Sequence, residues 1–130
     1  MQNKFRGELK VNLNNTEYNT RLTLDGIMRI ETATGRPILK LATELMNSNL
    51  SVTDCVNILS VAIRAGGNNM TQKEIGELVF QSGLTEGLRV TGEILANTIT
   101  GGKSSQEEDE DEDEDEGSEK NVEAVSNQTD

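Results

Sequence analysis

The hydrophobic pattern changes its period once, near residue 24, and that switch limits the fold more than any other feature. Before it, apolar residues alternate. In "GELKVNL", Leu9, Val11 and Leu13 share one face, with Glu8, Lys10 and Asn12 on the other. In "EYNTRLTL", Tyr18, Thr20, Leu22 and Leu24 alternate with Glu17, Asn19, Arg21 and Thr23. Between the runs stands Asn14-Asn15, a pair that tolerates left-handed dihedrals, so the segment reads as a β-hairpin. A lone hairpin is marginal in water, and its apolar face has to lie on something else.

Beyond the switch the spacing is helical to about residue 100. Asp25 is the expected cap of a short helix with Ile27 and Ile30 inward, stopped at Gly35. Pro37 suits the first position of "PILKLATELMNS", whose inner stripe is Ile38, Leu41, Ala42 and Leu45. "SVTD", Ser51 to Asp54, resembles a capping box. In the helix it opens, Thr53, Asn57, Ser60 and Arg64 form one narrow polar stripe. The rest is apolar or small, so this helix should be the most buried, with Gly66 ending it. "TQKE", Thr71 to Glu74, is a better capping box. It opens a helix with Ile75, Leu78 and Val79 on one face, closed at Gly83. Thr85 is the expected cap of the last helix, where Leu88, Leu95 and Ile99 align. Gly87 and Gly92 cost that helix roughly 1 kcal/mol each relative to Ala. Either they let another backbone approach or the helix is soft, and the soft reading is preferred. The expected fold class is α+β, mainly helical: an N-terminal β-hairpin followed by about five short helices, with a disordered acidic C-terminal tail.

Charge divides the chain. Net charge is −11 over 130 residues, and residues 103–130, with thirteen acids and two lysines, carry all of it. Residues 1–102 hold ten basic and ten acidic residues and are neutral. The expected organisation is a small α+β domain over 1–102 and an acidic tail over 103–130. The tail contains "EEDEDEDEDE", Glu107 to Glu116, and too few apolar side chains to offset the entropy of ordering, so disorder is expected there.

Cys55 is the one cysteine, which excludes an intrachain disulfide, and its place in an apolar helical pattern predicts a buried, inert thiol. "MQNKFRGELK" has no apolar core of a signal peptide, and no run of 18 apolar residues occurs, so a cytosolic protein without membrane contact is expected. Four N-x-S/T matches, such as the one at Asn14, then carry no weight.

The residue types also narrow the chemistry. Histidine is absent, which removes the commonest general base and metal ligand. Cys55 without a histidine cannot form a cysteine-nucleophile pair. "GGKS" at 101–104 lacks the glycine a phosphate-binding loop needs at position 97, where Asn97 stands, and it follows a helix rather than a strand. In the acidic run Gly117 comes one residue too late after Asp111, Asp113 and Asp115 for an EF-hand. With no tryptophan, 2% aromatics and a neutral body, neither base stacking nor a basic patch supports direct nucleic-acid binding. A non-enzymatic protein is expected, with no catalytic, cofactor or metal residues; partner-binding residues stay unassigned.

Several stretches together resemble the tail-assembly chaperone family of gene transfer agents and related tailed phages. They are "RGE" (Arg6 to Glu8), "RLTL" in the second strand, "RIETATGRPILKLATEL" with Ile30-Glu31 and Gly35, and "ILSVAIRAGG" followed by a capped helix. They run in the family's order from about residue 6 to residue 100. This chain departs in having Asn15 where such proteins often carry Gly after the hairpin turn, and the acidic tail falls outside the resemblance. The resemblance implies a protein of the host or bacterial cytoplasm that holds the tape-measure protein soluble while tail-tube subunits polymerise around it. Members of the family are also described as tail-tube proteins, so a structural tube role stays open, as do contact with the tail-tube protein and homo-oligomerisation.

On that reading the last helix, Glu86 to Thr100, supplies a groove or mobile flap, or else it closes the core. The hairpin offers a free edge to a partner strand or a second copy, or an edge blunted by Lys10 and Arg21. The tail either keeps complexes apart by like charge or is dispensable. A rival from another class is an acidic adaptor or nucleic-acid mimic that binds a basic partner through its tail.

Overall fold

The computed structural model describes residues 8–101. The acidic tail, with its expected disorder, and Arg6-Gly7 of the "RGE" stretch lie outside the described residues. Strands β1 (Glu8–Leu13) and β2 (Thr16–Arg21) form the expected antiparallel hairpin, in register from Glu8 opposite Arg21 to Leu13 opposite Thr16. Asn14 and Asn15 make the two-residue turn with φ of 54° and 64°, the left-handed pair that suits the twist of a hairpin. Val11, Leu13 and Thr20 are buried on the inner face, with Leu9 and Tyr18 half-buried at its margin. Thr20 satisfies its hydroxyl by donating to the Leu9 carbonyl at 2.8 Å.

The period-two pattern stops earlier than the alternation suggests. Leu22 is in the core, but Leu24 is 73% exposed and opens helix α1 (Leu24–Thr34). The cap is Thr23, not Asp25: its hydroxyl accepts from the Gly26 N–H at 3.1 Å. Asp25 lies in the first turn, where a carboxylate suits the helix dipole, and pairs with Arg29 at 3.0 Å. Ile30 is buried, Ile27 packs against the core, and Gly35 ends the helix with φ 74°.

Pro37 sits one residue earlier than expected, as the cap of α2 (Ile38–Met46) rather than its first residue. A proline cap offers no side-chain acceptor, and Glu31 reaches over from α1 to accept from the Ile38 N–H at 2.9 Å. Leu41 is buried, and Ile38, Ala42 and Leu45 pack around it.

Helix α3 (Val52–Ala65) carries more buried residues than any other element, as its pattern predicts. Ser51 accepts from the Asp54 N–H at 3.0 Å, but the Asp54 carboxylate turns to Arg36, so this capping box is half formed. Ser60 departs from the expected polar stripe and is 5% exposed. Gly26 brings α1 onto α3 beside it: a Cβ at Gly26 would lie 3.1 Å from Val61 Cγ1. Gly66 ends α3 against the hairpin, where an added Cβ would fall 2.0 Å from the Asn19 carbonyl oxygen.

Helix α4 (Gln72–Ser82) begins with the complete Thr71–Glu74 capping box and buries Ile75, Leu78 and Val79. Helix α5 (Leu84–Ile99) starts at Gly83, φ 99°, and Thr85 does not cap it. Its inner line is Val90, Thr91, Ile94 and Leu95; Leu88 is half-buried and Ile99 is 43% exposed, so the expected alignment of Leu88, Leu95 and Ile99 is displaced by part of a turn. The two glycines of α5 serve close approach rather than softness. A Cβ at Gly87 would meet Val79 Cγ1 of α4 at 2.8 Å, and one at Gly92 would meet Leu45 Cδ2 of α2 at 3.2 Å.

The resulting body has α3 at its centre, touching α1, α4, α5 and β2, while α5 also covers β1. Cys55 is buried where α3 meets α5. Its Sγ lies 3.2 Å from Thr91 Oγ1, and Thr91 donates its own proton to the Gly87 carbonyl at 2.8 Å. The thiol is therefore the donor of the pair. Burial pushes its pKa up, against the smaller opposing effect of the Thr91 contact, which fits the inert thiol expected from sequence.

Candidate partner-binding surface

The segment joining α1 to α3 is held by one arginine. Arg36 Nη1 donates to Glu44 Oε1 at 2.8 Å, and Nη2 donates to Asp54 Oδ2. Burial acts to lower the Arg36 pKa, but the hydrogen bond and charge of Asp54, with the charge of Glu44, raise it above the ordinary value. One side chain thus ties the α1–α2 turn to the end of α2 and the start of α3.

With α2 fixed in this way, its C-terminal end faces the first half of α5 across a groove. Asn47 caps α2, Ser48 adopts φ 60°, and the Asn49 N–H returns to the Glu44 carbonyl at 2.7 Å. That reversal carries Leu50 into the core and leaves Met46 82% exposed. The groove has a volume of about 520 Å³ and is lined chiefly by Leu45, Met46, Leu50, Leu88 and Gly92, with Arg89 at its rim. Gly92 contributes by having no side chain, so Leu45 lies over bare backbone.

The rim is charged and internally paired. Arg89 bonds Glu86 at 2.6 and 3.0 Å and Glu93 at 2.5 Å. The hydrogen bond from Arg89 holds the Glu86 carboxyl below its usual range, and the same bond, with the Glu93 charge, pushes the guanidinium upward. Further large apolar side chains lie exposed elsewhere, among them Leu24 and Met28 on α1 and Phe80 on α4.

The hairpin edge is less open than its sequence implies. The Asn19 carbonyl accepts from Asn68 Nδ2 at 2.8 Å and sits against Gly66, which covers the edge of β2. The Glu8 carbonyl accepts from Asn97 Nδ2 at 3.2 Å, which ties the start of β1 to α5. Partner-binding residues were unassigned from sequence. The groove residues come from two stretches, 45–50 and 85–92; Leu45 and Leu88 stood out beforehand as parts of apolar stripes and Gly92 as a helix glycine, while Met46 gave no signal. Among the described residues, no helix is long and apolar enough to cross a membrane.

Fold and surface define a class: a small, mainly helical α+β body with an apolar cleft between α2 and α5. The family is given by comparison. Residues 6–101 match the model of the family described as phage tail tube protein, GTA-gp10, and the chain belongs to that family. It is a phage or gene-transfer-agent tail protein by descent. No curated protein and no solved structure gives a match.

Proposed function

We propose that the chain serves tail assembly as a non-enzymatic chaperone, taking apolar helical segments of the tape-measure protein into the groove between α2 and α5. The observation that carries this reading is the groove itself, apolar at its floor and rimmed by charge. A helix lays its apolar face into such a groove with anchors one turn apart. The reading implies action in the host or bacterial cytoplasm, before the tail is complete.

A second reading is that the chain is a structural subunit of the tail tube. The family description favours it directly, since it names a tube protein. The geometry favours it less. A ring built by sheet extension needs open strand edges, and the described residues hold a two-stranded sheet with β2 covered at Asn19.

Co-expression with the tape-measure protein of the same tail-gene cluster, followed by pull-down, separates the two. The chaperone reading expects the tape-measure chain to be retained and soluble, and expects Met46→Glu to weaken retention while the body stays folded. Self-assembly into rings or tubes without tape-measure binding would establish the tube reading instead. Retention of some other, basic partner, lost at high salt, would point to the acidic adaptor.

A further inference from the structure

A second groove, between α1 and α3, has the opposite character. It holds about 450 Å³ and is lined by Thr23, Asp25, Arg29, Asn57, Ser60 and Arg64 among others. Two observations mark it as a site for an anion. Ser60, 5% exposed, has a buried hydroxyl with no hydrogen-bond partner among the described residues. An unsatisfied buried hydroxyl is costly, and native structures rarely leave one without a reason. Arg64 lies four residues on, at the end of α3, exposed and without an ion pair among the described residues. Arg29 supplies a second guanidinium, shared with Asp25.

The chain itself contains a matching anion. Ten consecutive acids stand at 107–116, six residues beyond Gly101, the last described residue. Six extended residues span about 20 Å. The last turns of α5 lie beside β1, where Asn97 bonds the Glu8 carbonyl. A shallow cleft there is lined by Glu8, Lys10, Arg21 and Ala65, and Ala65 lines the α1–α3 groove as well. A path lined by Lys10, Arg21, Arg64 and Arg29 therefore leads from the exit of the tail to the unsatisfied hydroxyl.

We propose that the acidic segment Glu107–Glu116 docks intramolecularly on this path. Its carboxylates accept from Arg64 and Arg29 and from the Ser60 hydroxyl, and charge rather than a fixed fold holds it there. The groove is separate from the one between α2 and α5, so this contact does not depend on the chaperone reading.

The test is paramagnetic relaxation in the full chain, with a spin label on Ser118→Cys; the buried Cys55 thiol is left unlabelled. Docking predicts loss of amide signal around residues 25–29 and 57–65. That loss should fade as salt rises from roughly 0.01 M to 1 M, over which the Debye length falls from about 30 Å to about 3 Å. It should also fade with Arg64→Glu, and Ser60→Ala should weaken it at low salt without displacing it. The proposal is overturned by no signal loss, by loss centred elsewhere, or by loss indifferent to salt and to Arg64→Glu. It is equally overturned if the broadening appears only between labelled and unlabelled copies in a mixed sample, which would make the contact intermolecular.

Discussion

Gly66→Ala offers a test of how the hairpin is held to the helices. The backbone at Gly66 has φ −78° and ψ 0°, which alanine adopts without strain, so conformational preference predicts no large penalty. Packing predicts the reverse. A Cβ there would lie 2.0 Å from the Asn19 oxygen, 2.6 Å from its carbonyl carbon and 2.8 Å from Thr20 Cα. All three are backbone atoms, so no rotamer change can relieve the overlap, and α3 has to move away from β2. That movement disturbs the Asn68 bonds to Asn19 and to Ile63, at 2.8 and 2.9 Å. Overpacking commonly costs 1–3 kcal/mol, and a clash with backbone belongs at the upper end, about 3 kcal/mol. Against a total of roughly 5–15 kcal/mol, this is a large fraction. At about 4–8 °C per kcal/mol for a body of this size, Tm should fall by roughly 12–24 °C. Thermal and urea denaturation followed by circular dichroism would measure it. Gly35→Ala is the control: φ is 74° but nothing lies within 4 Å, so only the left-handed penalty of about 1–2 kcal/mol applies. If Gly66→Ala unfolds within a few degrees of the parent, α3 does not sit on the hairpin as described.

Four further outcomes are expected. Asn15→Gly should stabilise the fold by about 0.5 kcal/mol in urea denaturation, because φ 64° suits glycine better than asparagine; destabilisation would contradict the turn geometry. Gly87→Ala should destabilise by about 1–2 kcal/mol, since the clash with the stiff Val79 exceeds the gain in helix propensity, whereas Gly92→Ala should be neutral or mildly stabilising because Leu45 can give way. Cys55 should resist thiol reagents at neutral pH and react only on unfolding; rapid labelling of the native chain would refute its burial. Glu86 should titrate below the usual carboxylate range in a carboxyl NMR titration, and Arg89→Gln should restore it. Its folded pKa is depressed, so its contribution to stability is present above the unfolded pKa and is lost as pH falls through the folded one.

Much of the fold was legible because local rules and tertiary packing agree. The Asn14-Asn15 turn, the Thr71–Glu74 box and the stop at Gly35 each depend on backbone chemistry within a few residues. The misread positions are of two kinds: those where neighbouring residues compete for a cap, and those where a distant partner decides. Leu24 keeps the parity of the β2 face, but the Thr23 hydroxyl captures the Gly26 N–H and starts a helix that turns Leu24 outward. Asp54 looks like the second half of a capping box, yet Arg36, eighteen residues earlier, takes its carboxylate. Ser60 carries a polar side chain in a polar stripe, yet it is only 5% exposed, on a helix that α1 packs against. The α2–α5 groove was invisible for the same reason. Its walls come from residues 45–50 and 85–92, and its depth depends on Gly92 meeting Leu45.

Hydrogen exchange on the full chain, with and without the tape-measure protein, tests the central claim most directly. Binding in the groove predicts slowed exchange concentrated in residues 45–50 and 85–92, with little change on the far side of α3. Unchanged exchange there, or protection confined to the hairpin edge as copies assemble, would contradict it.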